Sequence, residues 1–426
     1  MKARHVGGMR QEGFPEPTRA AGLARLAAFA PRMGRAYAAT RNHDFGPQER
    51  GNISLLSAHV RHRLVLEQEL VATALAHHAP SACDKFVQEV FWRTYWKGWL
   101  EQRPSVWRTY QARLAAWEGR LRSEGGLRRA YEDAVSGRTG IACFDSWVRE
   151  LVETGYLHNH TRMWFASIWI FTLRLPWELG ADFTYRHFLD GDPASNTLSW
   201  RWVAGLHTRG KHYLARASNI RAYTQGRFDP TGELDEHASP LVEDAPPPPP
   251  VPLPLAEAPP AGTVALLLTE EDLNPESLPL GTARVVAIAG ALATEDRSPL
   301  PVGGAVRAFA EAALADGLSR AGDAFSAPAE RLDCFDSVIA WAKGTGAGAV
   351  VTAHAPVGPV AARLDRLVVL LRAEGLPLIR LRRDWDGTIW PHASRGFFQV
   401  RDRIPEVLSA LGLLPGGGTR RRRAAV

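Results

Sequence analysis

Asp190-Gly191-Asp192-Pro193-Ala194-Ser195-Asn196-Thr197-Leu198-Ser199-Trp200-Arg201-Trp202 sets two carboxylates, an amide and two indoles in one short run. Just upstream stands Gly155-Tyr156-Leu157-His158-Asn159-His160-Thr161-Arg162-Met163. Acid, amide and indole chemistry thus lies beside an arginine. A calcium loop starting at Asp190 would need glycine at its sixth position and glutamate at its twelfth, but Ser195 and Arg201 stand there. His158 and His160 could begin a metal site, yet no third ligand follows at a suitable spacing, and structural histidines are expected.

Around this run the apolar residues repeat at helical spacing. Gly22–Tyr37, Leu55–Ala76, Ala82–Leu100 and Val148–Leu173 read as helices, the last interrupted near Gly155. Residues 14–235 are therefore read as a mainly α-helical domain. Ala245–Gly262 is rich in proline, which lacks the N–H of a ladder, so 236–262 is expected to be a semi-rigid linker. Beyond it the pattern changes. Val264–Leu268, Ala283–Ala289, Ala349–His354 and Leu376–Leu381 read as buried strands, alternating with helices over Val306–Ala321, Cys334–Lys343 and Val360–Glu374. That alternation predicts a Rossmann-like α/β domain with a parallel sheet over 263–414. Asp386-Gly387 between apolar flanks suggests a late hairpin. Gly344-Thr345-Gly346-Ala347-Gly348 precedes a strand, whereas a dinucleotide fingerprint follows one, so it is not read as a nucleotide site. Residues 415–426 read as a basic disordered tail carrying Arg420–Arg423.

The 426 residues suffice for two or three cores. A net charge of +6 admits a polyanionic partner without demanding one. No stretch has the apolar length of a membrane span, and the start of the chain does not read as a signal peptide. Cys83, Cys143 and Cys334 are too scattered for a disulfide framework and are expected as buried thiols in a reducing cytoplasm. Eleven of the 14 tryptophans precede residue 203, so the two ends are built for different work.

From about Phe14 to Pro230 these blocks, in order, resemble the DNA photolyase/cryptochrome family. The resemblance implies a helical FAD-binding domain. Tyr37 and the segment Ile53-Ser54-Leu55-Leu56-Ser57, opening a helix, fall where the family wraps the FAD diphosphate. Ile53 stands in place of the family's threonine, so part of that contact is expected to be lost or taken over by Asn52. Phe86, Arg93, Arg162, Asp190, Gly191 and Asp192 match further cofactor-binding positions, with Arg162 paired to Asp190 and Asn196 facing the flavin N5. Glu89, Trp92, Asn159, Met163, Asn196 and Trp202 match the catalytic positions that hold a pyrimidine dimer. Arg41, Glu89, Trp92, Arg93, Asn159, His160 and Gln225 match the DNA-binding side, with histidine at 160 where the family commonly has arginine. The run closes on Arg216, Asn219, Gln225 and Phe228-Asp229-Pro230.

Trp200 and Trp177 match the inner and middle members of the family's electron-transfer tryptophans. The outer position is Ala134, with Tyr131 one turn away as a substitute. The α/β part resembles the family's antenna domain, placed after the flavin domain instead of before it, with its second chromophore unknown. The helices that usually close the flavin domain are missing from the run beyond Pro230, which would either leave its edge open or shift its DNA contacts. The activity so implied is light-driven repair of cyclobutane pyrimidine dimers in damaged DNA by a cytoplasmic, monomeric lyase. A cryptochrome-like photosensor is the alternative, and a scaffold without photochemistry a third.

Overall fold

A computed structural model describes residues 15–414. The arginine run Arg420–Arg423 lies outside them. Twelve helices precede the linker: α1 (Arg19–Phe29), α2 (Arg35–Thr40), α3 (Ser57–Arg61), α4 (Glu67–His77), α5 (Pro80–Glu101), α6 (Pro104–Ser123), α7 (Gly125–Val135), α8 (Ala142–Thr154), α9 (Asn159–Ser167), α10 (Trp177–His187), α11 (Pro193–Ala204) and α12 (Ala217–Tyr223). Proline opens α5, α6 and α11 at the first turn, where its missing N–H costs nothing. Gly155 and Gly205 close α8 and α11 at φ 63° and 83°, which side chains bearing a Cβ adopt only with strain.

The helix expected over Leu55–Ala76 is broken. It ends at Arg61 and resumes at Glu67, with Arg63 between them at φ 51°. Periodicity could not show this, because the force holding Arg63 there comes from a distant part of the chain. Its buried guanidinium donates to both oxygens of Asp386 at 2.8 and 2.7 Å.

Beyond the linker, β1 (Thr263–Leu268), β2 (Arg284–Gly290), β3 (Ala329–Arg331), β4 (Ala349–Ala353) and β5 (Leu378–Leu381) form one all-parallel sheet in the order β3-β2-β1-β4-β5. The three-residue β3 is exposed throughout, so it carries no apolar signal. α13 (Gly304–Phe325) covers one face with Leu314 and Leu318, and α14 (Ser337–Gly344) and α15 (Pro359–Ala373) cover the other with Val338 and Leu364. Cys83 and Cys143 are buried, but Cys334 is exposed, contrary to expectation, in the turn before α14.

The Asp386-Gly387 pair is not a hairpin. It lies inside α16 (Asp384–Ile389), followed by α17 (Phe397–Arg401) and α18 (Ile404–Ala410). These elements, read from sequence as the end of the α/β part, contribute Trp385, Ile389, Phe397, Val400, Val407 and Leu408 to the helical core. The edge expected to lie open is thus closed by the chain's last helices. The linker residues 245–262 have no regular structure and are held down at intervals. Arg103 donates to Pro248 O at 2.9 Å, Val251 N–H to Gln102 O at 2.8 Å, and Arg382 to Pro254 O at 2.5 Å.

Between the helical and sheet parts lies a buried set of ion pairs. Arg61 grips Glu271 at 2.7 and 2.6 Å, and Arg383 grips Asp272 at 2.6 and 2.7 Å. The loop Thr269–Pro275 after β1, which resembled an antenna segment, is buried among these arginines.

Candidate cofactor and substrate site

α3, α8, α9 and α11 converge at their ends, and the Asp190 run lies where they meet. Asp192 caps α11, accepting the Ser195 N–H at 2.8 Å. Burial alone would push the Asp192 carboxyl up, but Lys97, Arg61 and Arg93 hold it well below the usual carboxylate range. Lys97 approaches to 3.5 Å from α5, and Arg93 to 3.9 Å. Asp190 receives Arg162 at 3.0 Å. Burial opposes its ionisation, yet Arg162 and Arg93 keep it below its ordinary value.

Several buried polar atoms here have no hydrogen-bond partner among the described residues: Asp190 Oδ1, Ser195 Oγ, Arg93 Nη1 and Lys97 Nζ. Buried polar groups are nearly always satisfied, so such a concentration marks a place where a ligand completes the bonding. Beside it opens a cavity of about 370 Å³, bordered by Arg25, Arg50, Leu55, Ser57, Tyr156 and Asp190. Cations, hydroxyl, carboxylate and an aromatic face together suit a nucleotide-bearing ligand such as FAD.

The segment Ile53–Ser57 leads into α3, which starts at its last residue. Only Ser57 is helical, and Leu55 sits at φ 55°. Asn52 does not replace the missing threonine, because its amide donates to Thr40 O and His43 O at 2.9 Å each. It ties the loop to the end of α2. Tyr37 meets Phe86 edge-on at 5.3 Å, with Phe86 buried. Gly191 lies against Arg297 and the Tyr185 and Phe188 carbonyls, where a Cβ would collide. Its own carbonyl accepts from Arg61 at 2.7 Å.

Asn196 is committed on both sides of its amide. Nδ2 donates to Ala181 O at 2.8 Å, and Oδ1 accepts from Thr184 at 3.0 Å. Thr184 in turn accepts the Trp200 indole N–H at 3.0 Å. Trp200 meets Trp169 at 6.1 Å, and Trp169 meets Tyr131 at 6.2 Å. Trp177 pairs with Tyr110 at 5.6 Å, and Ala134 is buried.

Glu89 and Trp92, expected on the substrate side, lie half-buried on α5. Glu89 pairs with Arg41 of the chain after α2. Burial holds the Glu89 carboxyl above its ordinary value, against the pull of Arg41. The face of Trp92 is not open. Phe397 of α17 stacks on it at 3.8 Å and 13° between ring planes. Trp202 stacks with Tyr213 at 6.0 Å, and Met163 is half-buried.

Arg93 and His160 do not reach outward as DNA-contacting residues would. Arg93 points inward toward Asp192, and His160 is buried against Trp164 at 4.1 Å, bonded to Asn42 O at 3.0 Å and the Tyr213 hydroxyl at 3.2 Å. Asn159 and Gln225 are exposed. Residues 41–44 join the two clusters, since Arg41 reaches Glu89 while the Asn42 carbonyl holds His160.

Sequence reading missed Arg25, Arg50, Tyr156 and Phe397. An arginine on an alanine-rich helix or a phenylalanine in a short C-terminal helix has no local signature. Their roles arise from contacts across the fold.

Residues 86–246 match the family model described as the FAD binding domain of DNA photolyase. A deoxyribodipyrimidine photo-lyase of Streptomyces griseus is 34% identical over 187 residues, covering 40% of this chain and 38% of that one. Another, from Thermus thermophilus, is 34% identical over 227 residues, covering 51% and 50%. The crystal structure of a bacterial class III photolyase from Agrobacterium tumefaciens superposes at a TM-score of 0.40 with 21% identity, over 49% of this chain and 43% of that one. The chain spans half or less of the length of these relatives.

Proposed function

The chain belongs to the photolyase/cryptochrome family through its helical FAD-binding part, and on that premise we propose that it repairs cyclobutane pyrimidine dimers in DNA under blue light. The observation that carries this reading is the division of labour along α5. Arg93 and Lys97 turn inward to Asp192 beside the cofactor cavity, while Glu89, one helical turn before Arg93, pairs with Arg41 and Trp92 stays half-buried next to it on the helix.

Asp190, Ser57 and the loop around Leu55 would hold FAD, with Arg162 fixing the Asp190 carboxylate and Asn196 held rigid by Thr184 and Ala181. A reduced FAD held there would supply the light-driven electron needed to split the dimer. Glu89, whose carboxyl is held above its usual range, is suited to sharing a hydrogen bond with a dimer carbonyl that gains negative charge. Trp92 and Trp202 offer apolar faces for the flipped pyrimidines, with Met163 and Asn159 supplied by α9. Gln225 is exposed to the phosphate backbone, and Arg41 reaches it only by sharing its charge with Glu89, so affinity should fall with salt. Phe397 must leave Trp92 before a base can stack there.

That last contact favours a second reading, a photosensor that binds FAD without repairing DNA, because a permanently covered Trp92 accepts no substrate. The test is an oligonucleotide carrying one thymine dimer, mixed with photoreduced protein under blue light and in the dark. Light-dependent restoration of thymines, lost in Glu89→Ala with FAD retained, supports repair. A flavin spectrum without repair supports the sensor.

A further inference from the structure

Most of the charged groups around the cavity are already neutralised. Asp190 has Arg162, and Arg50 pairs with the buried Glu150. Arg25 differs. Half-buried on α1, it has no carboxylate partner among the described residues, and its bonds go only to main-chain carbonyls, Ser54 O at 2.7 Å and Ile53 O at 3.2 Å. Burial and the neighbouring Arg32 both hold its guanidinium below the ordinary arginine value, so the charge is uncompensated where it stands.

The loop that Arg25 grips is polarised by that grip. Its carbonyls at 53 and 54 are turned to Arg25, while the amides of Ser54, Leu55 and Ser57 donate to no protein acceptor among the described residues. Leu55 at φ 55°, followed by Leu56 at φ −95°, alternates left- and right-handed backbone, the pattern of an anion-binding concavity, with the Leu56 N–H donating to Ser54 Oγ at 3.4 Å. Arg25, Leu55 and Ser57 all border the same cavity.

We propose that Arg25 is the cation that receives the diphosphate of the bound dinucleotide, taking the part that Ile53 cannot play. This rests on the FAD reading above. Arg25 acts twice: its guanidinium offers charge to the phosphates, and its hold on two carbonyls aims the loop amides at the same anion. The recognised chemistry is a dinucleotide diphosphate, so selectivity should appear between flavins that carry phosphate and those that do not.

The experiment measures FAD and riboflavin binding to the full apoprotein by flavin fluorescence quenching, for the wild type, Arg25→Gln, Arg25→Lys and Arg32→Gln. Arg32 also holds a loop carbonyl, Gly51 O at 2.5 Å, but does not border the cavity, so it controls for simple bracing. Losing a charge-assisted contact to phosphate should weaken FAD about ten- to hundredfold in Arg25→Gln. Riboflavin affinity should stay within about twofold of wild type in every variant, and Arg32→Gln should keep FAD affinity within the same range. Arg25→Lys should recover part of the loss and the wild-type dependence of FAD affinity on salt, which Arg25→Gln should lack. Equal FAD affinity in wild type and Arg25→Gln, or an unchanged salt dependence, overturns the role of Arg25 alone. Binding of riboflavin but not FAD by wild type overturns it too, and binding of neither overturns the FAD reading with it.

Discussion

Two clusters of buried charge lie on either side of α3, and they are finished to different degrees. At the junction with the sheet, Arg61, Arg63 and Arg383 meet Glu271, Asp386 and Asp272 in two-pronged pairs, with charges nearly balanced and most donors satisfied. At the cavity, Asp190 Oδ1 has no hydrogen-bond partner among the described residues, Lys97 Nζ and Arg93 Nη1 reach Asp192 only as ion pairs without a hydrogen bond, and Arg25 lacks a counter-charge among the described residues. The same residue types thus do different work. Saturated charges join parts of the chain, whereas incomplete ones await something that is not protein.

The contrast breaks most sharply at Asp386. Asp386→Ala removes the two-pronged partner of the buried Arg63 guanidinium, leaving it Glu67 and Asp272 at 3.4 Å each, and should cost about 3 kcal/mol of unfolding free energy, read from urea denaturation. Pairing it with Arg63→Met should recover most of that loss; failure to recover would mean the pair does more than neutralise itself. A smaller effect comes from acid. His158 caps α9 through Nδ1, and burial lowers its pKa from 6.5 to about 4. The folded chain therefore refuses a proton that the unfolded chain takes, so stability is full above about pH 6.5 and drains as pH falls toward 4. His158→Asn keeps a capping acceptor and should remove about 2 kcal/mol of the loss seen on going to pH 5. An unchanged acid slope would place the sensitivity elsewhere.

On the incomplete side, Asp190→Asn should weaken FAD about tenfold, worth about 1.4 kcal/mol. Apoprotein stability should move by less than about 1 kcal/mol, since the Arg162 pair is partly exposed. Loss of fold instead of cofactor would assign Asp190 to the joining class. The smallest change is Phe397→Leu, which keeps apolar bulk at a cost below about 1.5 kcal/mol. It should raise affinity for a dimer-bearing oligonucleotide severalfold in fluorescence anisotropy, and no change would remove Trp92 from the substrate side.

What sequence could show follows the same division. β1, β2 and β4, and the broken run around Gly155, were legible because apolar spacing and a left-handed glycine are local. The Asp190–Trp202 run was legible because its residues are neighbours along the chain. Arg63 could not be seen leaving the helix, since its partner Asp386 lies 323 residues away. Asp386-Gly387 looked like a turn for the same reason: the dipeptide favours one, but the ion pair with Arg63 and the packing of Trp385 hold it helical. Arg25 and Phe397 carry no local pattern, and each acquires its place only when α1 meets the 53–57 loop or α17 meets α5.

The pairing of Arg61 and Arg63 with residues of the later sheet and final helices also orders events during synthesis. At about 5–20 residues per second, Arg63 leaves the ribosome roughly 15–65 s before Asp386 does. For that interval the helical half has its arginines but not their counterions, and its core lacks Trp385 and Phe397. The nascent helical half therefore waits, open and cationic, for residues 384–410 before it can close.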